Sequence, residues 1–395
     1  MTTEQIKERA FQISDWVAQI RHQLHRIPEN GFQEYKTQAL IQQTLDHLGI
    51  PYTSDRTWVV GLIKGEYPGK TVALRADMDG LPILEKTGLP YASEHPGFMH
   101  ACGHDTHVAM VLGAARILNE WKSQLHGNVK LLFQPAEETL GGAQPMIEAG
   151  CLENPHVDYI YGLHVGGNTP VGTVGFKYGV TNGSSDELVI DVAGRSGHGA
   201  HPENAVDAIV IAGQMITLLQ SLVSRNVSPI DAAVISIGTI QGGTAHNIIA
   251  QEVHMRGTLR TLKEETREKM LTRIREVVEG VAAAMGGSAA LTVKPGYCAL
   301  NNPKEQGDHV VDLATRLFGS GAVVIDTETS LGVEDFAYYL KKVPGAFFHL
   351  GCAIPGAPSW PGHHPLFSPD ERCFPYGVAM HVGLVMETLS KENKN

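Results

Sequence analysis

The residues of this chain that could bind a metal cluster where apolar runs end, and that placement limits the fold more than any other feature. Cys102 and His104 lie in HACGHD, Glu137 and Glu138 follow VKLLFQPA, His164 closes YIYGLHV, and His363 and His364 fall in PGHHPLF. Short apolar runs bounded by turn residues read as β-strands. In an open α/β sheet, ligands collect beyond the carboxyl ends of the strands, so residues far apart in sequence can meet there. One thiolate, several imidazoles and a carboxylate make a mixed S/N/O set suited to zinc, manganese, cobalt or nickel rather than calcium or magnesium. Counting one residue from each adjacent pair, five ligand positions exceed what one tetrahedral ion needs, which points to two ions or to one ion with an adaptable second site. Metal-assisted hydrolysis is the chemistry such a set supports.

The surrounding pattern agrees with that architecture. WVVGLIKG, TVALRAD, VKLLFQP and VDYIYGLHV read as strands, with helical patterns over Glu34–Leu48, His104–Asn119 and GGAQPMIEAG. Strands alternating with helices predict an α/β sheet covered on both faces. The texture changes after TNGSS, a polar hinge at Thr181–Ser185. ELVIDVAGR alternates like a half-exposed strand, a helical pattern runs from near Pro202 to about Ser221, and AAVISIGTIQGG and EVHMRGTLRTL read as two further strands. A helix with Met270, Ile274, Val278 and Val281 on one stripe and the strand SAALTVK complete a split βαβ order, which is a module of its own. Helix Glu305–Phe318 and strands AVVID and AFFHLGC then resume the first pattern. The expected organisation is a discontinuous metal-binding domain, residues 1–184 plus 299–395, with residues 185–298 inserted as a smaller α+β domain.

Composition removes other classes. A chain of 395 residues is too long for one ordinary core. A net charge of −11 argues against nucleic acid, which needs a basic face. Five cysteines are too few and odd in number for a disulfide framework. The N-terminus has a polar helical pattern without a secretory h-region, and no uninterrupted apolar stretch is long enough for a bilayer, so a cytoplasmic protein without membrane partners is expected.

Each candidate also has a plainer reading. Cys102-Gly-His104 opens a helix, where two ligand types can converge on one ion, or where a buried thiol can sit beside a capping imidazole. Of the adjacent acids Glu137 and Glu138, one can ligate while the other takes a proton from water. A solvated acidic turn is the alternative, weakened because the pair ends a buried strand. His164 has the position of a hydrogen-bonded core residue as well as of a ligand. His363 and His364 lie in a Pro/Gly loop where no regular element explains them. Asp77 and Asp79 in LRADMDGLP could ligate, or could orient a ligand imidazole from behind. In the inserted domain, His198 lies between glycines in GRSGHGAHP, Asn247 lies in TAHNIIA, and Arg260 in GTLRT has the fork that suits a carboxylate.

DMDGLPI, HACGHD, FQPAEE, GLHV, GRSGHGAHP, HNIIA with GTLRT, VEDFAY and HHPLF occur in an order that resembles the aminoacylase/amidohydrolase family of metallo-exopeptidases. That group includes hippurate hydrolase, N-acyl-amino-acid amidohydrolases, N-acetyldiaminopimelate deacetylase and auxin-conjugate hydrolases. The resemblance spans nearly the whole chain. It implies a mixed-sheet catalytic domain and a ferredoxin-like lid that dimerises, giving a homodimer or higher homo-oligomer. It also implies Cys102, His104, Glu138, His164 and His363 as ligands of two divalent ions, and Glu137 as the base. His198 (catalytic), Asn247 and Arg260 match the lid positions that meet the oxyanion and the substrate carboxylate, and Asp77 and Asp79 stand behind the ligands. The implied reaction is hydrolysis of an N-acyl-L-amino acid at its amide. Thr139-Leu140 and SPDERCF depart from the family pattern near the substrate pocket, which bears on the acyl group.

A dipeptidase or carboxypeptidase would use the same site. A cysteine hydrolase with Cys102 as nucleophile and His104 as base lacks an orienting third group. A non-catalytic scaffold would have no need to keep every ligand.

Overall fold

The computed structural model describes residues 1–354, 356 and 358–391. The chain divides into two compact units. Unit 1 comprises Met1–Gly179, Asn301–Thr327 and Tyr338–Asn395, and unit 2 comprises Val180–Leu300 and Glu328–Ala337. The sequence pattern places everything beyond residue 298 in the first domain, yet 328–337 groups with the second. Its backbone explains this: Ser330 N–H donates to the Thr181 carbonyl, and the Gly332 carbonyl accepts from Gly183 N–H. The expected loop-like hinge at Thr181–Ser185 is largely extended, in strands Gly179–Asn182 and Ser184–Ala193.

Unit 1 is built on an eight-stranded mixed sheet. From one edge its strands are Tyr52–Asp55, Trp58–Lys64, His126–Gln134, Tyr67–Asp77, Tyr159–Pro170, Gly345–Ala353, Val174–Phe176 and Val323–Ile325. The four central strands, from His126–Gln134 to Gly345–Ala353, run parallel. Strands buried on both faces become largely apolar runs, as in Thr71–Asp77, where every residue is buried and Arg75 and Asp77 pair with each other. Parallel pairing also aligns their carboxyl ends. Asp77 pairs with Gln134, Arg75 with Gly162, and His164 with His349, so Asp77, the start of the Glu137 loop and His164 share one end of the sheet. Helix His104–Glu120 packs on this sheet through a nearly all-buried surface, consistent with its mixed apolar sequence.

Unit 2 has a four-stranded antiparallel sheet in the order Ala233–Gly242, Glu252–Thr261, Ser184–Ala193, Ser288–Pro295. With helices Ala208–Asn226 and Glu264–Ala284 this is the split βαβ arrangement. Leu188, Ile190 and Val192 alternate into a core with Ile211, Met215, Leu219, Met255, Ile274 and Val278. The first helix begins later than the pattern predicted, because Pro202–Asn204 forms a 3-10 turn and the Asp207 carboxylate caps the helix at Ile209 N and Val210 N. By length and composition that helix could cross a membrane. In the fold its Ile211, Ala212, Met215, Leu219 and Leu222 stripe lies in the core.

Candidate metal centre and active site

Gly103 makes the Cys-Gly-His turn workable. Its φ of 87° lies in the left-handed region, and an added Cβ would approach Val165 Cγ2 to 2.6 Å. Only glycine fits there without strain, and the sharp turn lets Cys102 and His104 face one point before the helix begins. Cys102 Sγ lies 3.3 Å from His164 Nε2. Ligand atoms of Cys102, His104 and His164 all fall within 4.8 Å of one another, and so do those of Cys102, Glu138 and His363. His104, Glu137 and Glu138 form a third such group. The two thiol-containing groups share one sulfur.

The imidazoles are oriented from behind. His104 Nδ1 lies 3.0 Å from both the carbonyl and the Oδ1 of Asp79, and His164 Nδ1 lies 2.8 Å from the Val165 carbonyl. Only an N–H can satisfy these acceptors, so each ring carries its proton on Nδ1 and turns Nε2 toward the cluster. His104 Nε2 is buried without a hydrogen-bond partner, the Asp77 carboxylate being 3.8 Å away. His363 Nε2 approaches Glu138 Oε1 to 2.9 Å, yet that oxygen has no partner in hydrogen-bond geometry. Two side chains this close can serve one ion. Asp79 has a second duty, accepting the Glu138 N–H at 3.0 Å. His364 faces elsewhere, stacked on Trp360 at 4.2 Å and accepting from Leu366 N–H.

Charge tells the same story. Burial opposes a proton on His104, but Asp77 and Asp79 push its pKa up to about 10. Burial, with Glu138 and Glu137 beside it, pushes the Cys102 thiol well above its ordinary range. Burial pulls His164 down to about 3. A site so rich in carboxylate favours positive charge at its centre, as a proton on His104 when no metal is bound, and the donor set fits a divalent cation.

The sequence marks His107 as a supporting or core residue and gives Arg75, Arg21 and Glu34 no role at the site. His107 Nε2 accepts from Val165 N–H and its Nδ1 meets Asp77 Oδ1 at 2.5 Å, while Arg75 reaches Asp77 Oδ2 at 2.6 Å. Asp77 therefore sits behind the cluster, held by a cation and an imidazole. The available signal was spacing, since His104 and His107 occupy adjacent turns of one helix face. His198, Asn247 and Arg260 belong to unit 2. His198 pairs with Ile248 across a short antiparallel ladder, the Asn247 carbonyl accepts from Gly199 N–H, and Arg260 donates to the Leu331 carbonyl at 3.4 Å.

Fold and donor set together define a hydrolase of the metallopeptidase class. The chain belongs to peptidase family M20/M25/M40, which matches residues 73–387, and it is an enzyme acting on amide bonds. It is 42% identical over 376 residues to N-acetyldiaminopimelate deacetylase of Bacillus subtilis, covering 92% of this chain and 96% of that one. It is 38% identical over 396 residues to thermostable carboxypeptidase 1 of Saccharolobus solfataricus, covering 98% and 99%. A solved Bacillus subtilis structure, described as a dinuclear metal binding peptidase from the M20 family, superposes with a TM-score of 0.83 at 36% identity, covering 96% of this chain and 99% of that one.

Proposed function

We propose that the enzyme hydrolyses the amide of an N-acyl-L-amino acid, releasing a carboxylic acid and a free amino acid, with two divalent metal ions held by Cys102, His104, Glu138, His164 and His363. The observation that carries this reading is the pair of overlapping ligand groups sharing Cys102, with His104 Nε2 buried and unpartnered among them. The dinuclear relative supports the count of ions. Bound there, a divalent cation supplies Lewis acidity toward a carbonyl oxygen and lowers the pKa of water. Glu137, buried at 6% exposure beside Glu138, is the base. It removes a proton from the attacking water and delivers it to the leaving nitrogen as the C–N bond breaks. On unit 2 we assign Arg260 to the substrate carboxylate, and His198 and Asn247 to the developing oxyanion.

The carboxypeptidase relative favours a second reading, removal of a C-terminal amino acid from a short peptide by the same groups. Paired assays on an N-acyl amino acid and a dipeptide of the same leaving residue separate the two. Glu137→Ala should abolish turnover while metal content stays at the wild-type value. Loss of metal in step with activity would reassign Glu137 as a ligand and overturn the mechanism.

We also propose a homodimer formed through unit 2. Strand Ala233–Gly242 is an edge of its sheet, and Val234 and Ile240 on it are exposed, as are Ile209, Val210 and Leu218 on helix Ala208–Asn226. An uncovered edge with apolar neighbours favours pairing with a second copy.

A further inference from the structure

The loop between helices Ser14–His25 and Tyr35–Leu48 has no part in the chemistry above, yet it grips both loops that carry the site's acidic groups. Glu29 offers its carbonyl to Gly80 N–H at 2.7 Å, in the loop of Asp79. An added Cβ at Gly80 would approach Pro28 Cβ to 2.8 Å, so the two segments lie in direct contact. Gly31 packs equally tightly on the other loop, where an added Cβ would meet the Thr139 hydroxyl and Ala136 Cα. Glu34 makes the specific bond. It stands at the N-cap of its helix but makes no side-chain cap hydrogen bond, and instead its Oε1 accepts the Ala136 N–H at 2.9 Å.

Ala136 is the residue immediately before Glu137, and its φ of 59° lies in the left-handed region, which disfavours any residue with a Cβ. Such a conformation persists only where its surroundings fix it. The Ala136 carbonyl accepts from Gly141 N–H at 2.9 Å, closing the turn on the far side of the acid pair. Glu34 is 0% exposed, and its Oε2 makes no well-aligned hydrogen bond, the Thr57 hydroxyl being the polar group that faces it. A buried carboxyl with one oxygen unsatisfied is an unfavourable choice for packing alone.

We propose that Glu34 is a positioning residue for Glu137: by accepting the Ala136 N–H it holds the left-handed turn that aims the base. The proposal rests on Glu137 being the base, and it places Glu34 in contact with neither substrate nor metal. Burial pushes the Glu34 carboxyl up to about 7, with Asp79 the charged group that faces it and the Thr57 hydroxyl the neutral one. The acceptor matters here rather than the charge, so an amide oxygen should serve as well.

The test compares Glu34→Ala, Glu34→Asp and Glu34→Gln as full-length protein. Hydrogen–deuterium exchange of the metal-free protein reads the turn itself, through a peptide spanning 133–141. Removing the acceptor from one buried amide should raise exchange there, and should lower kcat in the metal-loaded enzyme, by roughly ten- to a hundredfold. KM and metal content should stay within twofold. Glu34→Asp, one methylene short, should behave like Glu34→Ala and serves if the alanine variant does not fold. Glu34→Gln should restore both readouts to near wild type. Unchanged exchange in both shortened variants would overturn the proposal, and so would a glutamine variant as impaired as alanine. If exchange responds as expected while kcat does not, the turn is held as described and the assignment of Glu137 fails instead.

Discussion

Replacing Arg21 by methionine should cost unit 1 about 3–5 kcal/mol, the penalty for stranding one partner of a buried ion pair. Arg21 and Asp105 are both fully buried, with Nε 2.7 Å from Oδ2. At that distance two unit charges attract by roughly 6 kcal/mol at an effective dielectric near 20, most of it offset by their desolvation. Methionine fills much of the volume but leaves the Asp105 carboxylate with His25 at 2.8 Å as its remaining ion-pair partner, and it removes the donor to Tyr91 and Glu371. All four tryptophans, Trp16, Trp58, Trp121 and Trp360, belong to unit 1, so urea unfolding followed by tryptophan fluorescence reports that unit alone. Metal-free protein should be used, because a ligand bound to the native state would add its own stabilisation. Adding Asp105→Asn to Arg21→Met should recover at least about 1 kcal/mol relative to the sum of the single changes, as groups in one network do not add. A loss below about 1 kcal/mol for Arg21→Met, or strict additivity in the double variant, would refute the view that this pair anchors the start of helix His104–Glu120.

Asp79→Asn should weaken metal binding by about 10- to 100-fold in competition titrations with a chelator, because one carboxylate orients His104 and holds the Glu138 backbone. An unchanged affinity would remove Asp79 from the ligand support. For Glu34, burial raises the folded carboxyl from its ordinary 4.5 to about 7. The neutral form is then the one the fold prefers. Its contribution is complete below the unfolded value and is lost as pH rises through about 7. Wild-type unit 1 should therefore lose up to about 3 kcal/mol between pH 5 and 8, and Glu34→Gln should flatten that slope in urea melts at several pH values. Ile240→Lys on the exposed edge strand should convert the proposed homodimer to monomer in sedimentation velocity, and a monomeric wild type would remove the proposed interface.

What could be read from the sequence and what could not differ for a physical reason. The strands were legible because burial on both faces turns them into apolar runs, and the approach of Cys102 to His164 and to Glu138 followed from where those runs end. The need for Gly103 appears only in the structure, where its φ and the nearness of Val165 leave no room for a Cβ. His363 could be paired with Glu138 by family pattern alone, since a loop histidine carries no periodicity that aims it. The supporting groups were invisible for the opposite reason. Arg21 and His25 sit four residues apart in IRHQLHRI, where charged side chains read as a solvated helix face, although the fold buries both completely against Asp105. Glu34 reads as a polar residue opening a helix, and nothing local says that its side chain reaches Ala136 instead. Local pattern records the average environment of a segment, whereas these residues answer to single partners distant in the chain. The site is thus carried by elements whose sequences advertise them, and held in register by buried polar contacts whose sequences do not. Variation in activity among substitutions far from the donor set should concentrate at Arg21, Glu34, Arg75 and Asp79, because each is a buried polar side chain whose partner lies on, or directly behind, a loop that bears a ligand or the base.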